Sequence, residues 1–266
     1  MSNESVIAEL HKDYIHGLIL QGKRLDGRAL DEYREISVET GYVEKAEGSA
    51  KVLLGNTQLV VGVKIQPGEP FADSPGKGVI IVNTELIPTA SPSFESGPPG
   101  EKAVELARLT DRGIRQSGAI DLEKLCITEG EKVWLIFIDV HVLDDGGNIM
   151  DASELGAMAA LTDARIPKER YELGTDEPLP VRDVPVAITF VEIAGELVLD
   201  PTYEEEQVAG CKLTIIVKSG GSIAGMQKSG AGTLSQEQLK RAVHTAIEKA
   251  DEIRSSESVR EKLVRA

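Results

Sequence analysis

The sequence has few of the residue types that build disulfide frameworks and transition-metal sites. Its 266 residues include only two cysteines, Cys126 and Cys211, and four histidines. The cysteines stand far apart in strand-like apolar runs, and the histidines are scattered without an HExxH pair. Neither a metal site nor a hydrolase triad is therefore predicted. Two unpaired thiols of this kind are typical of a protein in a reducing compartment, and we expect a cytoplasmic location.

Long apolar runs are also missing. No run approaches roughly 18 residues, the length that a membrane-spanning helix needs. The first residues do not show the pattern of a secretion signal. We therefore expect neither membrane insertion nor secretion.

Positive charge is in deficit, with 29 Lys plus Arg against 44 Asp plus Glu and a formal net charge of -15. Such a chain has no general affinity for nucleic acid, so any RNA contact must come from a local group of basic side chains. The 41% of apolar residues is enough to fill the core of one large domain or of two fused halves. No cofactor is predicted, because the stretches "GGSIAGMQKSGAG" and "GKGVII" lack the spacing and context of a phosphate loop.

The stretch that organises the chain begins at Val133 and reads "VWLIFIDVHVLDDGGNIMDASELGAMAALTDARIP". Its first part, Val133 to Leu143, is apolar and rich in β-branched residues, which predicts a central strand covered on both faces. "DDGGN" is typical of a turn, and Asp151 with Glu154 predicts a capping box that starts a helix at Ala152. The small residues that follow predict a helix lying close on the sheet. Because Asp151 stands at this helix N-terminus, we expect a structural cap there and no anion site.

Apolar periodicity arranges the other elements in two similar sets, each made of strands followed by a helix. The first set has predicted strands at 36–39, 52–54, 59–63 and 79–83 and a helix at 101–116. The second has hairpins at 186–199 and 211–224 and a last helix capped by Ser235 and Gln238. This order predicts an α+β fold. We expect an N-terminal helix at 1–22, a first half at 23–167, a connector at 168–185, and a second half with the C-terminal helix at 186–266.

The helix predicted at 101–116 has a basic stripe. Arg108, Arg112 and Arg115 follow one another at i, i+4 and i+7 and so share one face. Two interpretations fit this stripe equally well. It is either a surface that binds the phosphate backbone of RNA, or a solvated face on which the arginines pair with Glu105 and Asp111. The three arginines are the predicted RNA-binding residues, and no catalytic or metal-ligating residue is predicted.

Five motifs occur in a fixed order from about residue 24 to residue 254. They are "RLDGRALDEYR", "AEGSAKVLLGNTQLVVGVK", "AIDLEKL", "DDGGN" before a helix that ends "TDARIP", and "LVLDPTYEEE". Together they resemble the RNase PH family, and within it the non-catalytic RNase PH-like ring subunit of the archaeal exosome. The resemblance implies an RNase PH-like fold of two βαβα-type halves, like domain 2 of ribosomal protein S5, with mixed sheets and flanking helices. It implies as partners a catalytic RNase PH-like subunit in an alternating hexameric ring, RNA-binding cap proteins and single-stranded RNA.

Active members of that family have features that this chain lacks at three places. They hold a metal ion with two aspartates, carry a paired arginine just before residues 103–116 of the predicted helix, and bind phosphate after the glycine turn. The residues that stand at those places here are Glu206 and Lys212, Glu101 and Lys102, and Ile149, Met150 and Asp151. The resemblance therefore implies a structural and RNA-path subunit that supports 3′ to 5′ phosphorolytic RNA degradation by its partner. The alternative is an active phosphate-dependent exoribonuclease whose site tolerates Glu206 and Lys212.

Overall fold

The computed structural model describes residues 3–263, which contain six α-helices and twelve β-strands. The helices are α1 Asn3–Ile19, α2 Glu101–Ser117, α3 Ile149–Asp163, α4 Tyr203–Val208, α5 Gln236–Ser255 and α6 Glu257–Leu263. The strands are β1 Ile36–Thr40, β2 Gly48–Leu54, β3 Thr57–Gly68, β4 Val79–Leu86, β5 Cys126–Thr128, β6 Lys132–Asp144, β7 Arg165–Ile166, β8 Glu177–Pro178, β9 Val186–Ile193, β10 Glu196–Leu199, β11 Cys211–Val217 and β12 Ile223–Ser229. Residues 1, 2 and 264–266 of the predicted terminal segments, and the side chains of residues 3–10, lie outside the described part.

The first sheet has the order β1-β2-β3-β6-β4, with β5 paired to the end of β6. It is a mixed sheet, because β4 runs parallel to β6 while the other pairs are antiparallel. The predicted central strand is β6, which lies between β3 and β4. One face of β6 is fully buried, whereas the other, which includes Leu135 and Phe137, is only half-buried. The prediction that both faces are covered therefore holds for one face and in part for the other.

The second sheet has the order β10-β9-β11-β12 and is antiparallel throughout. Its strand β12 is an edge strand, and Ile223 and Met226 on it are exposed. Helix α5 packs on β9 and β11 through buried residues that include Ala242, Ala246 and Ala250. Its predicted capping box is confirmed, since Ser235 accepts from the backbone of Gln238 and the Gln238 side chain accepts from the backbone of Ser235.

Helix α3 lies between the two sheets, against β2 and β3 on one side and β9 on the other. Every residue from Ile149 to Thr162 is buried, as expected of a helix whose small and apolar side chains surround it on all sides. A Cβ added to Gly156 would lie 2.8 Å from Val61 Cγ2, and one added to Gly48 would lie 2.3 Å from the Ala160 carbonyl oxygen. The predicted close approach of this helix to the sheet is confirmed.

The predicted capping box at the start of α3 is wrong. Helix α3 begins at Ile149, one turn before Ala152, and its N-cap is Asn148, whose side chain accepts from the backbone N–H of Asp151. Asn148 has φ 53°, a left-handed conformation that asparagine tolerates because its short side chain bonds locally. Asp151 and Glu154 then fall on the inward side of the first turns and are buried.

The segment predicted as a connector carries short regular structure. Its Glu169–Tyr171 forms a 3-10 turn, β8 pairs with β7, and Val181 forms an isolated bridge with Ile120. Of the two thiols, Cys211 is buried and Cys126 is half-buried, and both are free. The boundaries proposed from the sequence for the two halves stay a prediction.

Candidate functional site

Helix α2 and the edge strand β12 form an open groove of about 450 Å³, which we call the α2 groove. Its lining residues come from the first three turns of α2 and from the middle of β12. They are Pro99, Gly100, Glu101, Val104, Glu105, Arg108, Leu109, Arg112 and Gln227. Two of the three predicted RNA-binding arginines therefore lie in one groove, while Arg115 lies outside it.

The three arginines differ in their partners, although all three are exposed. Arg115 Nε donates to both carboxylate oxygens of Asp111, at 2.7 and 2.8 Å, and its guanidinium also donates to the carbonyl of Ile80. Arg112 donates from one terminal nitrogen to Gln227 Oε1 at 2.9 Å. Arg108 makes no hydrogen bond or ion pair with any residue in the described range 3–263. The interpretation as a solvated, paired face thus fits Arg115, whereas Arg108 and Arg112 form no ion pair within the described residues.

The α2 groove carries no excess of positive charge. Glu101 and Glu105 line it together with Arg108 and Arg112, so the four formal charges sum to zero. Glu105, which the sequence offered as an ion-pair partner for the stripe, forms no ion pair within the described part of the chain. The positive charges lie toward the C-terminal end of the groove and the negative charges toward the N-terminal end of α2.

A smaller cavity of about 50 Å³ adjoins the α2 groove and shares Glu105, Leu109 and Gln227 with it. It brings together, from α2, α3, α4 and β11, most of the residues at which the sequence analysis expects family features to be absent. Those that line it are Lys102, Ile149, Met150, Glu206 and Lys212. Of the other two, Glu101 lines the α2 groove and Asp151 points into the core. The sequence separates these residues widely, and the fold gathers them at one place.

The cations of the small cavity are paired with carboxylates. Lys212 Nζ lies 3.1 Å from Glu206 Oε1, which also accepts the backbone N–H of Asn148 at 3.3 Å. Lys102 Nζ lies 3.4 Å from Asp145 Oδ2 and 4.8 Å from the centroid of the Phe94 ring. Among residues 3–263 no group of three or more His, Cys, Asp or Glu side chains is placed to hold a metal ion.

Behind the small cavity lies a buried hydrogen-bond network centred on Asp151. Its Oδ2 accepts from Tyr33 at 2.5 Å, from the side chain of Asn148 at 2.8 Å and from the backbone of Thr189 at 2.9 Å. Its Oδ1 accepts from the hydroxyl of Thr189 at 2.6 Å. Burial raises the pKa of Asp151 to about 6, against the opposite effect of the bonds from Thr189, Tyr33 and Asn148. This network joins α3 to the second sheet.

A second buried carboxylate, Asp200, holds the segment before β1. Arg34 donates to Asp200 Oδ1 at 2.7 Å, and Arg28 donates to Asp200 Oδ2 at 2.9 Å. Burial alone would raise the pKa of Asp200, but the hydrogen bonds and charge of Arg34 hold it below its usual value. Arg28 also bonds Asp26 at 2.7 Å, so an ion pair between arginine and aspartate holds this turn. Arg24 instead reaches across the fold to a buried carboxylate on α4.

The sequence did not point to Gln227 or Thr189 as parts of the site. Tyr33 and Asp200 both stand in motifs that the sequence analysis singled out, "RLDGRALDEYR" and "LVLDPTYEEE", so these two had a signal. Gln227 has none, because its place opposite Arg112 depends on the register of β12 and on the position of α2 over that strand.

None of the helices in residues 3–263 combines the length and the apolar character needed to cross a membrane.

Two family models and several known proteins match the chain. The model described as 3′ exoribonuclease family, domain 1, matches residues 32–167, and the model for domain 2 matches residues 183–249. The exosome complex component Rrp42 of Methanocella arvoryzae is 60% identical over 252 residues, which are 95% of this chain and 97% of that protein. The Rrp42 of Pyrococcus furiosus is 51% identical over 262 residues, which are 96% of this chain and 95% of that protein.

A solved structure gives the same result for the fold. A chain in the structure of the Archaeoglobus fulgidus exosome with RNA bound to the active site superposes with a TM-score of 0.91 at 48% identity. The match covers 94% of this chain and 98% of that chain. The two domain matches span most of the sequence, and they lie in the order in which the two sheets occur. The chain therefore belongs to the RNase PH family of 3′ exoribonucleases and has its α+β fold.

Proposed function

We propose that the chain is a ring subunit of an exosome that has no active site of its own. It supports 3′ to 5′ phosphorolytic RNA degradation by a catalytic RNase PH-like partner in the cytoplasm. The observation that carries this proposal is the ion pair between Lys212 and Glu206 in the small cavity. The identity of 51 to 60% with two archaeal Rrp42 proteins over nearly the whole chain supports the assignment to an exosome.

The residues of the small cavity do not fit a divalent metal ion. Hard divalent cations need anionic oxygen ligands, and here an ammonium group lies 3.1 Å from the nearest carboxylate oxygen. Two like unit charges about 4 Å apart repel by roughly 4 kcal/mol at an effective dielectric of about 20, and a divalent ion doubles that energy. Lys212 therefore takes the place of a metal ion as the counter-charge of Glu206.

The cavity also offers no site for inorganic phosphate. Phosphorolysis needs a phosphate that is positioned and whose charge is stabilised in the transition state. Ile149 and Met150 present apolar side chains at the cavity, and the ammonium of Lys102 is held by Asp145. Metal and phosphate functions are thus lost at separate positions, which favours an inactive subunit over the alternative of an active exoribonuclease.

The exposed sheet edges support assembly into a ring. Edge strands present unpaired backbone groups that proteins cover by further contacts, and β12 adds exposed Ile223 and Met226. The net charge of -15 disfavours contact between copies of this chain and favours a less acidic partner. We propose an alternating hexamer with the catalytic subunit, closed on one side by RNA-binding cap proteins. Light scattering of the chain alone and with its partner tests this, and a monomer that persists with micromolar partner contradicts it.

In this ring we propose that Arg108 and Arg112 contact the phosphates of single-stranded RNA on its path to the partner's active site. Phosphate contacts accept any base sequence, as a processive degrading enzyme requires. Arg115, the third residue of the predicted stripe, is neutralised by Asp111 and contributes less.

The assay for activity measures the release of nucleoside diphosphates from single-stranded RNA in the presence of inorganic phosphate. The chain alone should release none, and a mixture with the catalytic partner should be active. Release by the isolated chain, retained after a second purification and abolished by removal of divalent cations, would establish the alternative of an active exoribonuclease.

The assay for the arginines measures RNA affinity of the assembled ring across a salt series. Each lost phosphate contact on a single strand lowers the slope of log affinity against log salt by about 0.7. Arg108→Ala and Arg112→Ala should each lower it by about that amount per subunit contact, and the double variant by roughly 1.4. Arg115→Ala is the matched control and should leave the slope nearly unchanged. If all four variants have the same slope as the parent, in intact rings, the assignment of the RNA path is refuted.

A further inference from the structure

The three arginines of α2 have three kinds of partner, and the kind determines how much charge each offers. Arg115 is bonded to a carboxylate, Arg108 has no partner within residues 3–263, and Arg112 is bonded to a neutral amide. A carboxylate partner orients a guanidinium but cancels its charge, whereas an amide oxygen orients it and leaves the charge intact. Arg112 is therefore the arginine of the α2 groove that is both held in place and fully charged.

Gln227 is in a position to hold it because of the geometry of β12. Alternate residues of a strand point to the same face, so Gly225, Gln227 and Ser229 share one face of β12. Helix α2 passes close to this face, since a Cβ added to Gly225 would lie 3.0 Å from Gln116 Oε1. Gln227 is half-buried and lines both the α2 groove and the small cavity. The Gln227 side chain therefore starts from a strand position that the fold fixes, between the α2 groove and the small cavity.

The charge of the groove explains why an amide suits this position. Glu101 and Glu105 already balance Arg108 and Arg112, so a further carboxylate at residue 227 would make the groove negative. A phosphate strand would then meet net repulsion at the place where the groove offers its cations. An apolar residue at 227 would leave the net charge of the groove unchanged, but the Arg112 guanidinium would no longer be held toward the groove.

We propose that Gln227 is a positioning residue for RNA, which acts by holding the guanidinium of Arg112 toward the α2 groove without neutralising it. This inference rests on the proposed RNA path along α2. Ordering a long side chain on binding takes about 0.5 to 1.5 kcal/mol, which corresponds to a roughly 2- to 10-fold change in affinity. Because the amide of Gln227 already orders the Arg112 side chain in the free protein, RNA binding does not incur that cost.

Three variants separate orientation from charge. Gln227→Met keeps the length of the side chain and removes the acceptor, so the Kd of the assembled ring for single-stranded RNA should rise about 2- to 10-fold with an unchanged salt slope. Gln227→Glu should pair with Arg112 and lower the salt slope by about 0.7, as Arg112→Ala does. Gln116→Met, at a neighbouring exposed glutamine of α2, is the matched control and should change neither quantity.

Relaxation of the arginine Nε–Hε groups by NMR tests the positioning on the chain without RNA or partner. Arg112 should be nearly as ordered as Arg115, and in Gln227→Met it should become as mobile as Arg108. An Arg112 that is equally mobile with and without Gln227 overturns the inference. So does an affinity loss in Gln227→Met that persists in the Arg112→Ala background. If Arg112 is ordered by Gln227 but Arg112→Ala binds RNA normally, the positioning role for RNA fails, and so does the assignment of Arg112 to the proposed RNA path. If Arg112→Ala weakens binding and Gln227→Met does not, the inference alone is overturned.

Discussion

Replacement of Asp151 by asparagine should change how the stability of the fold depends on pH. All four hydrogen bonds to Asp151 are donated to it, three of them to Oδ2 and one to Oδ1. An asparagine can place its oxygen where Oδ2 lies and its NH₂ toward the hydroxyl of Thr189. That hydroxyl can accept, because its own proton can turn to Thr214 Oγ1, 2.9 Å away. The variant therefore reproduces the geometry of the protonated carboxyl without a new cavity.

The magnitude follows from the pKa of the carboxyl. Burial raises the pKa of Asp151 from 3.8 to about 6, so the folded state binds this proton more tightly than the unfolded state. The stability that belongs to the neutral form is present below pH 3.8 and is lost as the pH rises through about 6. A shift of roughly 2 units corresponds to about 3 kcal/mol. Asp151→Asn does not ionise and keeps that stability at neutral pH.

The measurement is the difference in free energy of unfolding between Asp151→Asn and the parent chain, by urea denaturation from pH 4 to pH 7.5. This difference should move in favour of the variant by up to about 3 kcal/mol as the pH rises. Asp26→Asn is the control. Burial alone would raise the pKa of Asp26, but the hydrogen bonds from Arg28 hold it below its usual value of 3.8. The contribution of Asp26 therefore changes mainly below pH 4, and its difference should stay nearly constant across this range. A difference for Asp151→Asn that stays constant across this range would refute the reasoning.

Three further predictions concern stability, each checked by urea denaturation at pH 7. Arg24→Met should lower the free energy of unfolding by about 3 to 5 kcal/mol, because it leaves the buried carboxylate of Glu205, now 2.6 Å from Arg24, without a partner. Adding Glu205→Gln should recover part of this loss, and the absence of any recovery would contradict the assignment. Gly147→Ala should lower the free energy of unfolding by at least ~3 kcal/mol, and Gly195→Ala by only about 1 to 2 kcal/mol. Both glycines have positive φ, which strains an alanine, but a Cβ added to Gly147 would also lie 2.4 Å from backbone atoms, whereas one added to Gly195 meets nothing. Equal losses for the two glycines would be the contrary result. Ser235→Ala should lose about 1 kcal/mol through the N-cap of α5, and an unchanged midpoint would count against that cap.

The sequence pattern predicted those helices and strands well whose formation depends on interactions between residues close in the chain. The β-branched run of β6, the hairpin of β2 and β3 around Gly55, and the capping box of α5 all follow from neighbouring residues. The start of α3 did not, because two motifs competed for it. The spacing of Asp151 and Glu154 resembles a capping box, but Asn148 takes the left-handed conformation and caps the helix one turn earlier.

What the sequence could not predict depends on contacts between elements far apart in the chain. Asp151 points inward because β9 offers it the backbone and hydroxyl of Thr189, and no local rule places that strand there. The different roles of Arg108, Arg112 and Arg115 have the same origin. Helical spacing puts all three on one face, yet only the packing of β12 against α2 gives Arg112 its neutral partner.

On the proposed function, the two sites explain how a subunit can lack chemistry of its own and keep its place on an RNA path. The small cavity gathers groups from α2, α3, α4 and β11, so a catalytic site there would depend on all four elements at once. The ion pair of Lys212 with Glu206 then satisfies the charge that a metal ion would have balanced, and Glu206 still accepts the N–H of Asn148. The α2 groove depends on other atoms, Arg108, Arg112 and Gln227, and these need no metal to offer charge to a phosphate. On this proposal, the groove can serve the passage of RNA without any catalysis at the cavity.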